Sequence, residues 1–476
     1  MPDPVREIAT QVRPFDTVLI ANRGEIALRV VRTCREMGIR SVVVHSTVDR
    51  DSAAVLAADH SVQIGPAAPK RSYLFAPAII EAALQSGAQA VHPGYGFLSE
   101  DPDFAEICAR NGLVFIGPRP EVVSRLGDKS LARALMAEAG LPVLPGTIEP
   151  VRSAGEVVEE ANRIGLPLII KATAGGGGRG MAVVRDWAEL LPTYRATRAA
   201  ARAVFGDERV YLERFWEKAR HVEVQILADE HGNVVHLGER DCSVQRRHQK
   251  LIEESPAPGL SRDLARRLAE HAVQGARAAG YTGAGTFEFL VDGDEAAFIE
   301  VNCRIQVEHP VTEAVTGIDL IREQLRVAAG MPLSFTQDEV ELRGVAVECR
   351  VNAEDPDRDF APCPGELSEF VPPGGQFVRV DTGAYPGWRV PPDYDSLLAK
   401  VIAWAPDRPQ ALARMDRALQ EFRIRGRGVH TTKELLREVL VHPSFQLAEH
   451  TTSFLDEEQS KAAVEPAETQ VHDRAS

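Results

Sequence analysis

The 476-residue chain has no apolar run approaching the eighteen residues of a membrane-spanning helix. Its opening residues, Met-Pro-Asp-Pro-Val-Arg-Glu, lack the apolar core of a secretory signal, so a cytoplasmic protein is expected. No CxxC pair occurs among the six scattered cysteines (Cys34, Cys108, Cys242, Cys303, Cys349, Cys363), which argues against a zinc site or a disulfide framework. Reduced core thiols are the expectation. Positive charge is in deficit: 54 Lys and Arg face 69 Asp and Glu, a net charge of −15. Neither nucleic acid nor an anionic membrane is therefore an expected partner, although a local basic pocket is compatible with the balance. What remains, 44% hydrophobic and 26% charged, is the composition of a globular protein long enough for two to four packed units.

The first third alternates short apolar runs with helical patterns. Thr17–Ala21 reads as a strand, Ile26 to Met37 as a helix closed by Gly38, and Ser41–His45 as a second strand. That is a βαβ unit, with further strand-like segments at Ala90–His92 and Leu113–Ile116. No GxGxxG follows the first strand, so a dinucleotide site is not indicated. A second unit starts near Gly127 and contains Leu166–Lys171, Met181–Val184, a helix ending near Phe205 and a crowd of strands from Val210 to Val301. From Val345 to about Phe454 the pattern is strands and then two helices, read as a separate α+β portion. Residues 457–476 are polar and aperiodic, the pattern of a disordered tail.

Between two strand-like runs lies Ala174-Gly-Gly-Gly-Gly-Arg-Gly-Met181. So many glycines cost backbone entropy and allow consecutive N–H groups to form an anion nest. It is not a Walker A loop, because no Gly-Lys-Ser/Thr follows. Lys171, just before it, could meet a phosphate. A flexible surface hairpin is the plain alternative. The segments Thr286–Val291 and Ala297–Asn302 read as a hairpin with a loop of about five residues. With Val291 opposite Ala297, Glu288 faces Glu300, and two opposed carboxylates repel unless a cation separates them. Asn302 on the same face would complete an oxygen site suited to Mg²⁺; a solvated polar face is the alternative. The alternation continues through Arg304, Gln306 and Glu308, so an extended segment would aim all five polar groups one way. Arg304 could grip a planar anion, and Glu308 is a candidate general base. The basic run Gln245–Lys250 could serve a phosphate or bicarbonate pocket, or be a solvated face.

Together with Ile20–Ala27, His92–Glu100, Arg246–Lys250, Gln306–Glu313 and Glu348–Asp355, these residues resemble the biotin carboxylase family of ATP-grasp ligases from about Phe15 to Leu455. The resemblance implies a mixed α/β and α+β fold. It comprises a Rossmann-like N-terminal domain (1–128), an ATP-grasp domain (129–342) with a mobile glycine-loop lid (about 144–212), and a C-terminal biotin carboxylase domain (343–456). It implies ATP and Mg²⁺, with Mn²⁺ as a substitute, and biotin as a carrier-bound substrate. Lys129, Lys171, Gly177 and Gly178 would hold phosphates; Glu213, Arg214, Phe215 and Trp216 would line adenine; His221 and His248 would complete that pocket. Glu288 and Glu300 would serve ATP and, with Asn302, the metal. Lys250, Arg304, Gln306, the Val307 backbone and Glu308 would bind bicarbonate, Glu308 deprotonating it to attack ATP and give carboxyphosphate. Arg350 would steady the biotin enolate, with Tyr95 bordering biotin; an ion pair between Arg350 and Glu348 is the structural alternative. Family members usually carry proline where this chain has Cys303, and some have glycine in place of Ala174. No methionine precedes a lysine, as the biotinylated Met-Lys would require. A separate carrier protein and a carboxyltransferase subunit are therefore expected, most naturally as acetyl-CoA carboxylase, and the resemblance implies a homodimer. Another acyl-CoA or pyruvate carboxylase, or an ATP-grasp carboxylate–amine ligase, is the alternative.

Overall fold

The computed structural model describes residues 15–147, 149–173, 180–247 and 249–458. Gly177, Gly178, His248 and most of the expected tail lie outside the described residues. Glu457 does not: it belongs to a helical turn at 454–458, where the composition reads as the start of the tail.

The N-terminal sheet is parallel, in the order β3-β2-β1-β4-β5. Its strands are β1 (Thr17–Ile20), β2 (Arg40–Ser46), β3 (His60–Gly65), β4 (Ala90–His92) and β5 (Val114–Phe115). The order reverses between β1 and β4, and ligands of such sheets sit beyond the strand ends at that reversal. There Asn22 donates from Nδ2 to the carbonyls of Pro93 and Tyr95, both at 2.7 Å, pinning the loop after β4. Gly94 has φ +63°, and a Cβ on it would stand 2.9 Å from Asn22 Nδ2, so this turn requires glycine.

A small antiparallel sheet, β6 (Leu168–Ala172), β7 (Met181–Val184) and β8 (Val210–Arg214), carries the strands that flank the glycine loop. The chain then forms β9 (Arg220–Ala228), β10 (Val234–Arg246), β11 (Gln249–Ser255), β12 (Gly283–Asp292), β13 (Glu295–Asn302) and β14 (Val345–Asn352). Short strands β15 (Glu354–Asp355), β16 (Ala361–Pro362) and β17 (Leu367–Val371) precede β18 (Val378–Thr382) and β19 (Leu397–Ala405); β20 (Arg423–Gly426) pairs with β17. Eight of these make one sheet, β13-β12-β9-β10-β11-β14-β19-β18. The C-terminal portion, read from sequence as separate, thus extends the preceding sheet. Antiparallel pairing of β11 with β14 sets Glu253 opposite Glu348.

Helices cover the large sheet because its strands bury apolar side chains on both faces. Helix Arg262–Ala279 packs Leu264, Leu268, Ala272 and Ala276 against Val224, Ile226 and Phe287. Helix Arg408–Glu421 packs Leu412, Met415 and Leu419 against Val347, Val401 and Ala403. The short helix His309–Thr316 sits on the other face at the junction, with Val311 and Val315 against Ala346 and Ile402. Among the described residues no helix is long and apolar enough to cross a membrane.

Candidate active site

Three carboxylates stand in a row across neighbouring strands. Glu300 opposes Glu288, Glu288 opposes Glu223, and Glu223 opposes Arg240. The hairpin reaches the expected Glu288–Glu300 pairing by a different route. Its turn is only Gly293-Asp294, with Gly293 at φ +59°, and Val291 faces Ala296. A bulge beyond Phe289 then restores the register at Glu288. Directly opposed side chains share a face, so the row is a like-charge ladder that must be neutralised.

Lys250 neutralises most of it. Its ammonium donates to Glu223 Oε2 at 2.6 Å, Glu288 Oε1 at 2.9 Å and Glu308 Oε1 at 2.7 Å. Arg240, fully buried, donates from Nε to Glu223 Oε1 at 2.6 Å. Burial alone would favour neutral Lys250, but the three carboxylates prevail and hold its pKa well above the ordinary value. Burial likewise opposes ionisation of Glu308, yet Lys250, Arg350 and Arg240 keep its carboxyl well below the usual range.

The extended segment expected from Glu300 to Glu308 is corrected. Strand β13 ends at Asn302, residues 303–308 turn, and Glu308 caps helix His309–Thr316. Pro310 suits that first helical turn because no N–H is needed there. Convergence comes from side-chain hydrogen bonds instead of alternation. Arg304 donates to Asn302 Oδ1 (2.9 Å) and Gln306 Oε1 (2.8 Å), while Asn302 and Gln306 donate to Glu288 Oε1 at 2.8 and 3.1 Å. Arg350 reaches Glu308 Oε2 at 2.9 Å. It also lies 2.5 Å from Glu253 Oε1, off the hydrogen-bond line, so its carboxylate neighbours are Glu308 and Glu253 where Glu348 was the sequence alternative. Glu348 is buried with neither oxygen hydrogen-bonded among the described residues.

A cleft beside this cluster is lined by Lys129, Lys171, Tyr211, Glu213, Phe298 and Ile299. Lys129 Nζ is 3.3 Å from Glu300 Oε2, and Lys171 pairs with Glu213, which also accepts from Arg133 at 2.6 Å. Burial opposes the charge on Glu213, but these two cations hold its pKa down. Arg214 points the other way, 3.5 Å from the Ile164 carbonyl. Phe215 is fixed by its N–H to the Pro167 carbonyl at 3.0 Å, and Trp216 beside it is half-buried. His221 Nε2 lies 3.1 Å from Glu288 Oε2; burial and Lys250 work against its charged form, but Glu288 and Glu223 together hold its pKa above the ordinary value. Tyr95 sits at the strand reversal with its hydroxyl bonded to Glu25. The opposed Glu288 and Glu300 carboxylates are oxygen donors of the kind a hard divalent cation takes, each now beside a lysine, while the Asn302 oxygen accepts from Arg304 and its amide nitrogen faces Glu288. The denser groups, His221–Glu223–Glu288 and Glu223–Cys242–Glu308, already have Lys250 between their carboxylates.

Several participants were not singled out from sequence. Glu223 lies two residues from His221 on an alternating strand, a parity that could have marked it. Glu100 ends the His92–Glu100 stretch and accepts from Cys303 N–H (2.9 Å) and Arg304 Nε (2.8 Å), tying Arg304 to the N-terminal sheet. Glu25 lies within the Ile20–Ala27 stretch, at the start of helix Gly24–Glu36. Arg240 and Glu253 have no motif of their own, and the sheet brings them in.

Comparison with known proteins decides the family. Residues 14–123 match the family described as biotin carboxylase, N-terminal domain, and 348–457 the biotin carboxylase C-terminal domain. Residues 128–336 match the ATP-binding domain of carbamoyl-phosphate synthase L chain. A biotin carboxylase from Nostoc sp. is 53% identical over 93% of this chain and 99% of its own length. The chain belongs to the biotin carboxylase family. Its fold is that of biotin carboxylase from Campylobacter jejuni, solved as a β-γ-ATP complex: TM-score 0.90, 46% identity, over 93% of this chain and 99% of that one. The biotin carboxylase domain of Hydrogenobacter thermophilus 2-oxoglutarate carboxylase, a dimer solved with MgADP, ADP and bicarbonate, superposes with TM-score 0.89 at 42% identity, covering 94% and 98%. Biotin carboxylases are ATP-dependent ligases, so ATP and Mg²⁺ are the cofactors of this chain.

Burial pushes the Glu253 carboxyl up to about 7, with Arg350 pulling against it. A raised native pKa contributes stability that is complete below the unfolded value near 4.5 and is lost as pH rises through about 7. Glu253→Gln should therefore remove part of the fall in unfolding free energy between those pH values. Urea titrations of both proteins across that window, subtracted, check this; identical slopes would show that Glu253 is ionised throughout.

Proposed function

We propose that this chain carboxylates the ureido nitrogen of biotin on a separate carrier protein, using ATP and bicarbonate through carboxyphosphate. The supporting observation is the convergence of Lys250, Arg304, Gln306, Glu308 and Arg350 beside a cleft lined by Lys129 and Lys171. In this reading Lys129, Lys171, Gly177 and Gly178 take the nucleotide phosphates. Glu213, Phe215, Trp216 and His221 serve the base and ribose side, where the family resemblance adds His248. Glu288, Glu300 and Asn302 hold magnesium, which when bound offsets the charge of the phosphates.

Arg304, Gln306, the Val307 amide and Lys250 receive bicarbonate, and Glu308 takes its proton. Glu308 is a weak base while Lys250 and Arg350 both serve it. An arriving anion shares those cations and so raises Glu308's basicity at the moment it is needed. Arg350 is then placed to receive the charge that builds on the biotin ureido oxygen, with Tyr95 at the border of that pocket.

The carrier and acceptor are proposed as those of acetyl-CoA carboxylase, in step with the relative named simply biotin carboxylase that this chain matches over 99% of its length. A second reading, a carboxylase of a 2-oxo acid, is favoured by the likeness to the 2-oxoglutarate carboxylase domain. Six buried free cysteines fit the reducing cytoplasm as its compartment. Two copies per particle are proposed from the dimeric Hydrogenobacter domain, and sedimentation at a single chain's mass would overturn that.

The direct test is ADP formation by the purified protein with Mg²⁺, with and without bicarbonate and free biotin. The rate should require bicarbonate and rise with biotin; indifference to both would refute the reading. Glu308→Gln should lower the bicarbonate-dependent rate by about 10²–10⁴-fold while sparing nucleotide binding. Equal loss of both would make Glu308 structural. Carrier choice is settled by supplying biotinylated carriers with their transferases and assaying malonyl-CoA against the carboxylated oxo acid. Malonyl-CoA alone supports the first reading.

A further inference from the structure

Two buried side chains that do not reach the cleft grip successive carbonyls of the turn before helix His309–Thr316. His309 Nδ1 lies 2.7 Å from the Gln306 carbonyl oxygen, and since a carbonyl only accepts, that nitrogen carries the proton. Lys400 Nζ donates to the Val307 carbonyl at 2.7 Å. Both side chains have no exposed surface. Lys400 comes from β19, directly opposite Arg350 on one side and Asp381 on the other, and its ammonium is 3.0 Å from Glu25 Oε1 in the N-terminal unit.

A trans peptide is planar, with its N–H antiparallel to its C=O. Fixing the Gln306 carbonyl therefore aims the Val307 N–H in the opposite direction, and fixing the Val307 carbonyl does the same for the Glu308 N–H. Among the described residues neither amide has an acceptor. We propose that His309 and Lys400 are positioning residues for bicarbonate: they orient the peptides on either side of Val307 so that its amide faces the anion and Glu308 is presented to it. Glu25 extends the device, because the carboxylate that fixes Lys400 also accepts the Tyr95 hydroxyl. The orientation of the anion site is thereby coupled to the strand reversal where Tyr95 stands. The inference rests on the bicarbonate reading given above.

The test measures KM for bicarbonate, KM for ATP and kcat in ADP formation for His309→Leu, His309→Asn and the charge-balanced pair Lys400→Met with Glu25→Gln, each first shown to unfold cooperatively. Arg304→Ala is the control for the site itself. Loss of one orienting hydrogen bond is expected to raise KM for bicarbonate about tenfold, with KM for ATP unmoved. Asparagine places an amide N–H near the position of Nδ1, so His309→Asn should recover most of the loss. If Arg304→Ala raises KM for bicarbonate but His309→Leu and the Lys400 pair do not, the positioning roles are refuted. If Arg304→Ala also leaves it unchanged, the bicarbonate site has been misplaced. A variant that loses kcat and stability with both KM values intact marks its residue as structural only. Should the Lys400 pair fail to fold, the His309 variants decide.

Discussion

The ammonium of Lys250 is the group on which the site depends. It stands within hydrogen-bond reach of Glu223, Glu288 and Glu308, which come from β9, β12 and the turn before helix His309–Thr316. Each carboxylate alone at that depth would cost several kcal/mol of solvation. Assembled without a cation they would repel one another as well. One lysine tolerates all three only if the sheet register is kept to the residue, and the unbroken pairing of β9 with β12 sets Glu223 opposite Glu288. Arg240 beneath and Arg350 to the side complete the balance, each sharing a carboxylate with Lys250.

The continuous eight-stranded sheet makes this balance possible. Lys250 and Glu253 lie on β11, the strand that joins the two halves of the sheet, and Arg350 and Glu348 lie on its neighbour β14. Had the C-terminal portion formed its own sheet, Arg350 would not reach Glu308. Arg304 is held from a third direction by Glu100, and Lys400 joins Glu25 to the Val307 carbonyl. The N-terminal unit, with no residue in the carboxylate row, is thus bonded to both ends of the turn that carries Arg304 to Glu308.

Local periodicity was enough to read β4, β7 and β9 and the C-terminal ends of two helices, near Met37 and Phe205, because turn residues bound them sharply. Helix Arg262–Ala279, by contrast, lies inside the Val210–Val301 stretch whose pattern reads as strands. Periodicity also placed Glu288 opposite Glu300. Two things lay beyond it. The alternation from Glu300 to Glu308 mimics a strand, but β13 ends at Asn302 and a helix starts at His309, and side-chain hydrogen bonds bring the polar groups together. The union of the C-terminal strands with the rest is a long-range pairing, carried by main-chain bonds between residues nearly a hundred apart, which no local window contains. For the same reason the residues read from motifs were those near a distinctive stretch, while Glu223, Arg240, Glu253 and Lys400 became visible only through their neighbours in space.

The cluster is a poor way to gain stability. Buried ion pairs often do no better than well-packed apolar groups of similar volume, whereas removing one partner from such a pair is strongly destabilising. Glu348, buried with unbonded oxygens opposite Glu253, is still more costly. A chain selected for stability alone would fill the face beneath helix His309–Thr316 with residues like Ala346 and Ile402, which already pack there. It instead sets charge against charge in a region water barely reaches, where a bound anion can redistribute cations among carboxylates with little solvent screening. The instability of the unliganded arrangement and its responsiveness to an arriving anion have the same origin, the low polarisability around Lys250, so neither can be relieved without losing the other.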